Sequence, residues 1–185
     1  MKKLLFATLV FLLFACTNEY VMQANLNMVG DRMRKWTDKV EVIRCLSMYY
    51  SAVNESSDSI YIPIGYSSDN PLKAYIESHD SLKTTFNYVG CSKRKGTAQY
   101  DYAPGDSILI SFHLYVESNN SIDSEWLQKL STKELISKIH IEMAKPTEGE
   151  NLDKIPTIIF KNDTNDICVN PIIKPRKWNP DLDNQ

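Results

Sequence analysis

Alternation of apolar residues with mostly polar ones is the feature that most limits what this chain can form. Over residues 107–116 every second side chain is apolar, and these are Ile108, Ile110, Phe112, Leu114 and Val116. Successive side chains of a β-strand point to opposite faces, so the pattern predicts a strand with one buried face. Residues 45–54 alternate in the same way, with Leu46, Met48, Tyr50 and Ala52 on one face.

Further short segments of this kind follow along the chain. Strands are predicted at 45–54, 59–64, 82–91, 107–116, 139–143, 155–161 and 166–173. A polar turn at 54–58 is predicted to join the first two into a hairpin-like unit. Pro104 followed by Gly105 favours a type II turn, because glycine supplies the positive φ that this turn requires. Ser131 and Glu134 have the spacing of a capping box and predict one short helix.

The N-terminal end has the features of a secretory signal. Lys2 and Lys3 precede an unbroken apolar run from Leu4 to Ala15, which ends at Cys16. The run is too short to span a bilayer as a stable helix. It matches the apolar region of a signal peptide, so the sequence predicts export from the cytoplasm.

The residues Leu-Phe-Ala-Cys at 13–16 resemble a bacterial lipobox. The resemblance implies that residues 1–15 are removed and that Cys16 becomes the lipidated first residue of the mature protein. Stable anchoring takes two or more acyl chains, which bacterial lipoproteins carry. Thr17 stands where enteric bacteria use Asp to retain lipoproteins in the inner membrane, and this favours the outer membrane. An ordinary signal peptide or an uncleaved anchor is the alternative.

Composition limits the partners of the mature chain. Loss of Lys2 and Lys3 reduces the 21 basic residues to 19 against 23 acidic ones, a net charge of −4. A mildly acidic protein lacks the basic footprint of a nucleic-acid-binding protein. No later segment is long and apolar enough to span a membrane. The expected contact with a membrane is therefore through the N-terminal lipid.

Four segments are predicted along the chain. Residues 1–15 are the signal peptide, 16–35 the anchor and linker, 36–173 the folded domain, and 174–185 a flexible tail. From the linker to the first residue of the domain, apolar residues recur at helical spacing, at Met22, Leu26, Val29, Met33 and Trp36. Gly30 weakens that pattern. The interpretation is a linker that folds back on the domain.

The order of strands and turns over 36–173 resembles an immunoglobulin- or fibronectin-type domain, which lipoproteins of Bacteroidetes commonly carry. The resemblance implies an all-β fold, an immunoglobulin-like antiparallel β-sandwich with one short helix and with binding loops at one end. No Trp lies between Cys45 and Cys91, so the Cys–Trp–Cys core of antibody domains is absent. An α+β domain with one antiparallel sheet is the alternative fold.

Three cysteines remain after Cys16, namely Cys45, Cys91 and Cys168. They contain no Cys-x-x-Cys pair, so neither a zinc knuckle nor a thioredoxin-type redox pair is indicated. Export permits one disulfide, and three cysteines allow three different bridges. Buried free thiols are the equally weighted alternative.

No catalytic motif stands out. The chain lacks a Gly-x-Ser-x-Gly elbow, a phosphate-binding loop and a His-Glu-x-x-His helix. His79, His113 and His140 have no His or Cys at ligand spacing, so neither a metal nor a cofactor is predicted. His113 and His140 alternate with core positions and are expected to face solvent. We therefore expect a non-catalytic binding or adhesion module, with a glycan or protein ligand. A structural accessory of an envelope complex is the alternative, and a hydrolase with dispersed carboxylates is the third hypothesis.

Two sets of surface residues are candidates for further roles. Three Asp-Ser-aliphatic triplets resemble the O-glycosylation acceptor of exported Bacteroidetes proteins, which implies acceptors at Ser59, Ser81 and Ser107. The alternative is that Asp-Ser simply opens strands, since both residues favour turns. Tyrosines suit recognition because they combine an apolar face with a polar tip, and Tyr61, Tyr66, Tyr100 and Tyr102 are candidates for a binding patch. Cross-strand packing is their alternative role.

Overall fold

The computed structural model describes residues 20–35, 42–63, 71–77, 79–92, 101–144, 151–165 and 167–173. Its strands are β1 (Val21–Lys35), β2 (Val42–Val53), β3 (Ile60–Tyr61), β4 (Leu72–Ile76), β5 (Lys83–Ser92), β6 (Asp101–Tyr102), β7 (Ser107–Ser118), β8 (Ile139–Met143), β9 (Thr157–Lys161) and β10 (Cys168–Ile173). The helices are α1 (Ser121–Lys129) and α2 (Thr132–Ser137), with a 3₁₀ turn at Leu152–Lys154. No helix among these residues is long and apolar enough to cross a membrane.

Eight of the strands form one sheet in the order β4-β8-β9-β1-β2-β7-β5, with β10 also paired to β1. β9 and β10 run parallel to β1, on the edge opposite β2, and the other pairs are antiparallel. The two end strands approach each other, so the sheet is nearly closed and barrel-like. A separate two-stranded sheet pairs β3 with β6.

The all-β expectation is confirmed in this coarse sense. The described strands form one main sheet and not two stacked ones, so the immunoglobulin-like sandwich is not confirmed. The single sheet comes closer to the alternative fold, although two of its strands are parallel to β1. A second helix, α1, was not expected. The predicted hairpin is wrong, because β2 pairs with β1 and β7 whereas β3 pairs with β6.

The apolar core lies inside the curved sheet. The alternating faces predicted for β2 and β7 are confirmed, since their apolar members are buried, including Tyr50 and Phe112. These two rings stack with centroids 5.5 Å apart, and Phe160 meets the ring of Tyr50 edge-on at 5.1 Å. Interlocked aromatic rings of this kind contribute about 0.5–1.5 kcal/mol beyond their buried area.

The interpretation of residues 16–35 as a linker with helical spacing is wrong for residues 21–35, which form β1 at the centre of the sheet. The cause is a β-bulge between Leu26 and Met28. A bulge adds one residue to a strand, so the next buried residue, Val29, comes three positions after Leu26 and not two. That spacing resembles a helical period. The folded domain therefore includes residues 21–35.

The local signals for the turn and the helix are confirmed. Gly105 has φ +80°, and the N–H of Asp106 donates to the carbonyl of Ala103 at 3.1 Å, which closes the turn. Ser131 and Glu134 form a complete capping box at the start of α2. Both features depend only on neighbouring residues, which is why the sequence alone predicted them.

Candidate functional site

The outer surface of β1, β2, β7 and β5 carries polar and aromatic side chains on a broad, nearly continuous face. We call it the polar sheet face, and it consists of Gly30, Arg32, Cys45, Ser47, Tyr49, Asn87, His113 and Tyr115. All of these residues are half-buried or exposed. They lie opposite the buried positions of the same strands, because side chains alternate along a strand.

Register places seven of these residues, together with Thr85 of β5, in two neighbouring rows across the sheet. The first row contains Arg32, Cys45, Tyr115 and Thr85, and the second contains Gly30, Ser47, His113 and Asn87. Directly opposed residues in antiparallel strands have Cβ atoms about 4.5–5.5 Å apart. Side chains from four strands, distant in sequence, are thus neighbours here.

At the centre of the polar sheet face, the Oγ of Ser47 and the Nδ1 of His113 are 2.8 Å apart. Burial lowers the pKa of His113 below its ordinary 6.5, and the positive charge of Arg32 lowers it further. The imidazole is therefore mainly neutral at pH 7, with one nitrogen able to accept a proton.

Cys45 lies beside the Ser47–His113 pair, and its thiol is expected to have low reactivity. Burial raises the pKa of its thiol, while a hydrogen bond to Tyr115 and the nearby Arg32 and Arg34 act in the opposite direction. The net shift is upward, so the thiol stays protonated at neutral pH. A protonated thiol is a poor nucleophile.

Gly30 leaves a small hollow next to the Ser47–His113 pair. A Cβ built on Gly30 would lie 3.5 Å from the Cβ of Ser47 and 3.8 Å from its Oγ, which are ordinary contacts. The space over Gly30 is therefore available to a ligand atom. It is also available to a methyl group without strain.

A second polar cluster connects the β4–β5 loop to α1. The Oγ of Ser81 donates to Asp123 at 2.5 Å, and the Nδ1 of His79 lies 3.3 Å from the same carboxylate. The ring of His79 also stacks on Trp126, with centroids 3.7 Å apart. The hydrogen bond from Ser81 is the main cause that holds the pKa of Asp123 below its usual value; burial opposes it. The hydroxyl of Ser81 donates to the carboxylate of Asp123 and not to the imidazole of His79. We therefore interpret this cluster as a structural contact between the loop and α1.

The three predicted disulfide candidates all carry free thiols. Cys45 points to the outer face of β2, whereas Cys91 is buried on β5 and Cys168 is exposed on β10. Cys45 and Cys91 therefore lie on opposite sides of the sheet and cannot meet without rebuilding it. The disulfide alternative is not what the structure contains.

Other predicted residues have mixed outcomes. Ser59, Ser81 and Ser107 are all exposed, and Cys16 lies outside the described residues. His140 is exposed as expected and stacks on Tyr75 with centroids 4.8 Å apart. His113 is only half-exposed.

Of the four tyrosines predicted as a binding patch, Tyr61 and Tyr102 lie among the described residues, and both belong to the paired strands β3 and β6. Tyr102 is fully buried and its hydroxyl donates to the sulfur of Cys91 at 3.0 Å. Tyr61 is half-buried, and Tyr66 and Tyr100 lie outside the described residues. Among the described residues, no group of three or more His, Cys, Asp or Glu side chains could hold a metal ion.

Sequence reasoning missed Arg32, Ser47, Tyr49 and Tyr115 as a group. The alternation of β2 and β7 already assigns the last three to outward positions, but only the pairing between strands shows that they are neighbours. No protein-family model matches this chain. A search of curated proteins gives no significant match.

Proposed function

We propose that this chain is a lipid-anchored protein of the bacterial outer membrane whose domain is a non-catalytic binding module, and that the polar sheet face binds a saccharide. The lipobox-like residues ending at Cys16 support the anchor. The likeness to immunoglobulin-type domains stays a prediction, and the binding proposed here uses a sheet face in place of end loops.

One observation carries the binding proposal. The polar sheet face combines half-buried aromatic rings, Tyr49 and Tyr115, with the hydrogen-bonding groups of Ser47, Asn87 and His113. A sugar ring offers an apolar face for contact with an aromatic ring and hydroxyls for hydrogen bonds, and tyrosine supplies both kinds of contact. The paired strands hold these groups at fixed spacing, which reduces the ordering cost of binding.

The test is a panel of immobilised polysaccharides titrated with the purified domain. Tyr49→Ala removes an aromatic ring from the polar sheet face and is expected to weaken binding about tenfold, equivalent to about 1.4 kcal/mol. Tyr75→Ala is the matched control, because Tyr75 is an exposed tyrosine of β4 outside this face. Equal affinities for the two variants would contradict the proposal.

A structural accessory of an envelope complex is the alternative role. Protease treatment of intact and lysed cells distinguishes the two. Digestion on intact cells is expected for a surface module that meets external saccharides. Protection until lysis would favour the periplasm-facing accessory.

A second candidate function, ester hydrolysis, is favoured by the Ser47–His113 contact of 2.8 Å with a mainly neutral imidazole. A hydroxyl and a neutral imidazole at this distance are the first two members of a nucleophilic site. The test is hydrolysis of a chromogenic ester by the wild type and by Ser47→Ala. Turnover that Ser47→Ala abolishes would establish this function, and equal background rates would exclude it.

The resemblance to exported glycoproteins keeps Ser59, Ser81 and Ser107 as proposed O-glycosylation acceptors, and their exposure supports access by a transferase. The hydroxyl of Ser81 donates a hydrogen bond to Asp123. A glycan attached to this oxygen would replace the donated hydrogen and remove that hydrogen bond. Intact-mass measurement on protein isolated from its own cells is expected to show added hexose masses that disappear in the triple Ser→Ala variant.

A further inference from the structure

We propose that the saccharide bound by the polar sheet face is acidic, and that its anionic group, a carboxylate or a sulfate, binds Arg32 above the hollow at Gly30. This inference rests on the proposed function. It adds the class of saccharide and the residue that selects it.

Charge is the first argument. Arg32 and Arg34 are exposed and alternate along β1, so both guanidinium groups project from the same face. No carboxylate among the described residues lies within ion-pair distance of either one. The chain as a whole has a net charge of −2. Two cations without a described partner on one face of an acidic protein therefore mark a local site for an anion.

Position is the second argument. Arg32 is the neighbour of Cys45 across the strands, and Gly30 is the neighbour of Ser47. Arg32 also lies close enough to His113 to affect its protonation. An anion over Gly30 would thus have a guanidinium on one side and the Ser47–His113 pair on the other. Arginine is well suited to it, since its planar fork binds carboxylate and sulfate-like oxygens in pairs.

Titration of His113 gives the inference a second readout. The ionisable groups that face His113 are Arg32 from β1, Cys45 and Tyr49 from β2, and Tyr115 from β7; β5 contributes the uncharged Thr85 and Asn87. No carboxylate is among them. A bound anion would therefore favour protonation of His113. Since its pKa lies below 6.5, affinity for an acidic saccharide is expected to rise as pH falls from 7 towards 5.

The experiment measures binding of three soluble polysaccharides to the full domain. Polygalacturonate carries carboxylates, heparin carries sulfates, and dextran carries no charge. We expect at least one charged polymer to bind about tenfold or more tightly than dextran, with an affinity that falls as salt rises. Arg32→Gln is expected to remove this advantage. Lys161→Gln, which neutralises an exposed cation on β9 outside this face, is the matched control.

The outcomes separate this inference from the proposed function. If dextran binds as well as the charged polymers, and Tyr49→Ala weakens it, the saccharide function stands and the acidic specificity is overturned. If no polymer binds, both are overturned. Equal losses in Arg32→Gln and Lys161→Gln would mean unspecific charge attraction and would also overturn the inference. His113→Gln is expected to abolish the rise in affinity at low pH, and a retained rise would exclude His113 from the anion site.

Discussion

At the scale of single residues, the most consequential contact is a buried ion pair. Arg44 and Asp31 both have fully buried side chains, and the Nε of Arg44 donates to Asp31 Oδ1 at 2.9 Å while its Nη2 contacts Oδ2. Its Nη1 donates to the carbonyls of Leu127 at 2.7 Å and Leu130 at 3.1 Å, and Thr132 donates to Asp31 at 2.8 Å. The pair thus joins β1 and β2 to the end of α1 and the start of α2.

Arg44→Met is expected to lower the free energy of unfolding by about 3–5 kcal/mol, because it leaves the Asp31 carboxylate buried without its partner. Urea unfolding followed by circular dichroism measures the loss. Arg34→Met is the control, since Arg34 is an exposed arginine of β1, and a change within about 0.5 kcal/mol is expected there. An Arg44→Met variant as stable as the wild type would contradict this role.

The three free thiols are expected to differ in reactivity. Cys168 is exposed, whereas Cys91 is 1% exposed and burial raises the pKa of its thiol to about 11. Because the thiolate is the reactive form, maleimide at pH 7 should label Cys168 first and Cys91 only after unfolding. Mass spectrometry of native and urea-treated protein gives the order. Labelling of native Cys91 at the rate of Cys168 would show that β5 is misplaced.

At the scale of elements, sequence reasoning succeeded where one strand or turn contains its own information. The faces of β2 and β7 follow from alternation, and the start of α2 follows from Ser131 and Glu134. Sequence reasoning failed at β1, because the bulge after Leu26 arises from pairing with β2. The extra residue breaks the two-residue period by which a strand is recognised. Sequence reasoning also missed α1, although Asn120 accepts from the N–H of Asp123 as an N-cap. The polar sheet face depends on register between distant strands, which no single segment encodes.

The two ends of the sheet meet at a seam between β4 and β5. These strands are not paired as a ladder, and an open cleft of about 390 Å³ lies between them, lined by Leu72, Lys73, Ala74, Thr84, Thr85 and Phe86. The Oγ1 of Thr84 donates to the carbonyl of Ala74 at 2.6 Å. A side chain thus takes the place of one backbone hydrogen bond across the seam.

Thr84→Val removes that hydrogen bond and keeps the shape of the side chain. We expect it to reduce the free energy of unfolding by about 1 kcal/mol, the usual net value of one hydrogen bond. The backbone amides of β4 should also exchange hydrogen faster, as measured by mass spectrometry. Thr85→Val is the control, because Thr85 is exposed on the same strand. Identical exchange in both variants would mean that Thr84 does not hold the seam.

At the scale of the whole molecule, the proposed anchor and the proposed anion site lie towards opposite ends of β1. Residues 16–20 span at most about 18 Å when extended, so a lipid on Cys16 would hold the start of β1 close to the bilayer. Val21 and Val53, at that end, are among the exposed apolar residues. Arg32 is eleven residues further along the strand, about 36 Å at the usual rise. In the proposed lipoprotein the anion site therefore lies at the end of β1 that is farther from the anchor.

This arrangement requires that Cys16 carries the lipid. Cys16→Ala is expected to move the protein from the membrane fraction to the soluble fraction, because the acyl chains on Cys16 are its proposed membrane anchor. The variant should also lose labelling by a clickable palmitate analogue. Cys168→Ala, which removes an exposed thiol of the domain, should leave both unchanged. A Cys16→Ala protein that stays in the membrane fraction without label would indicate an uncleaved apolar anchor. The start of β1 would then still lie near the bilayer, and Arg32 would still lie towards the far end of that strand.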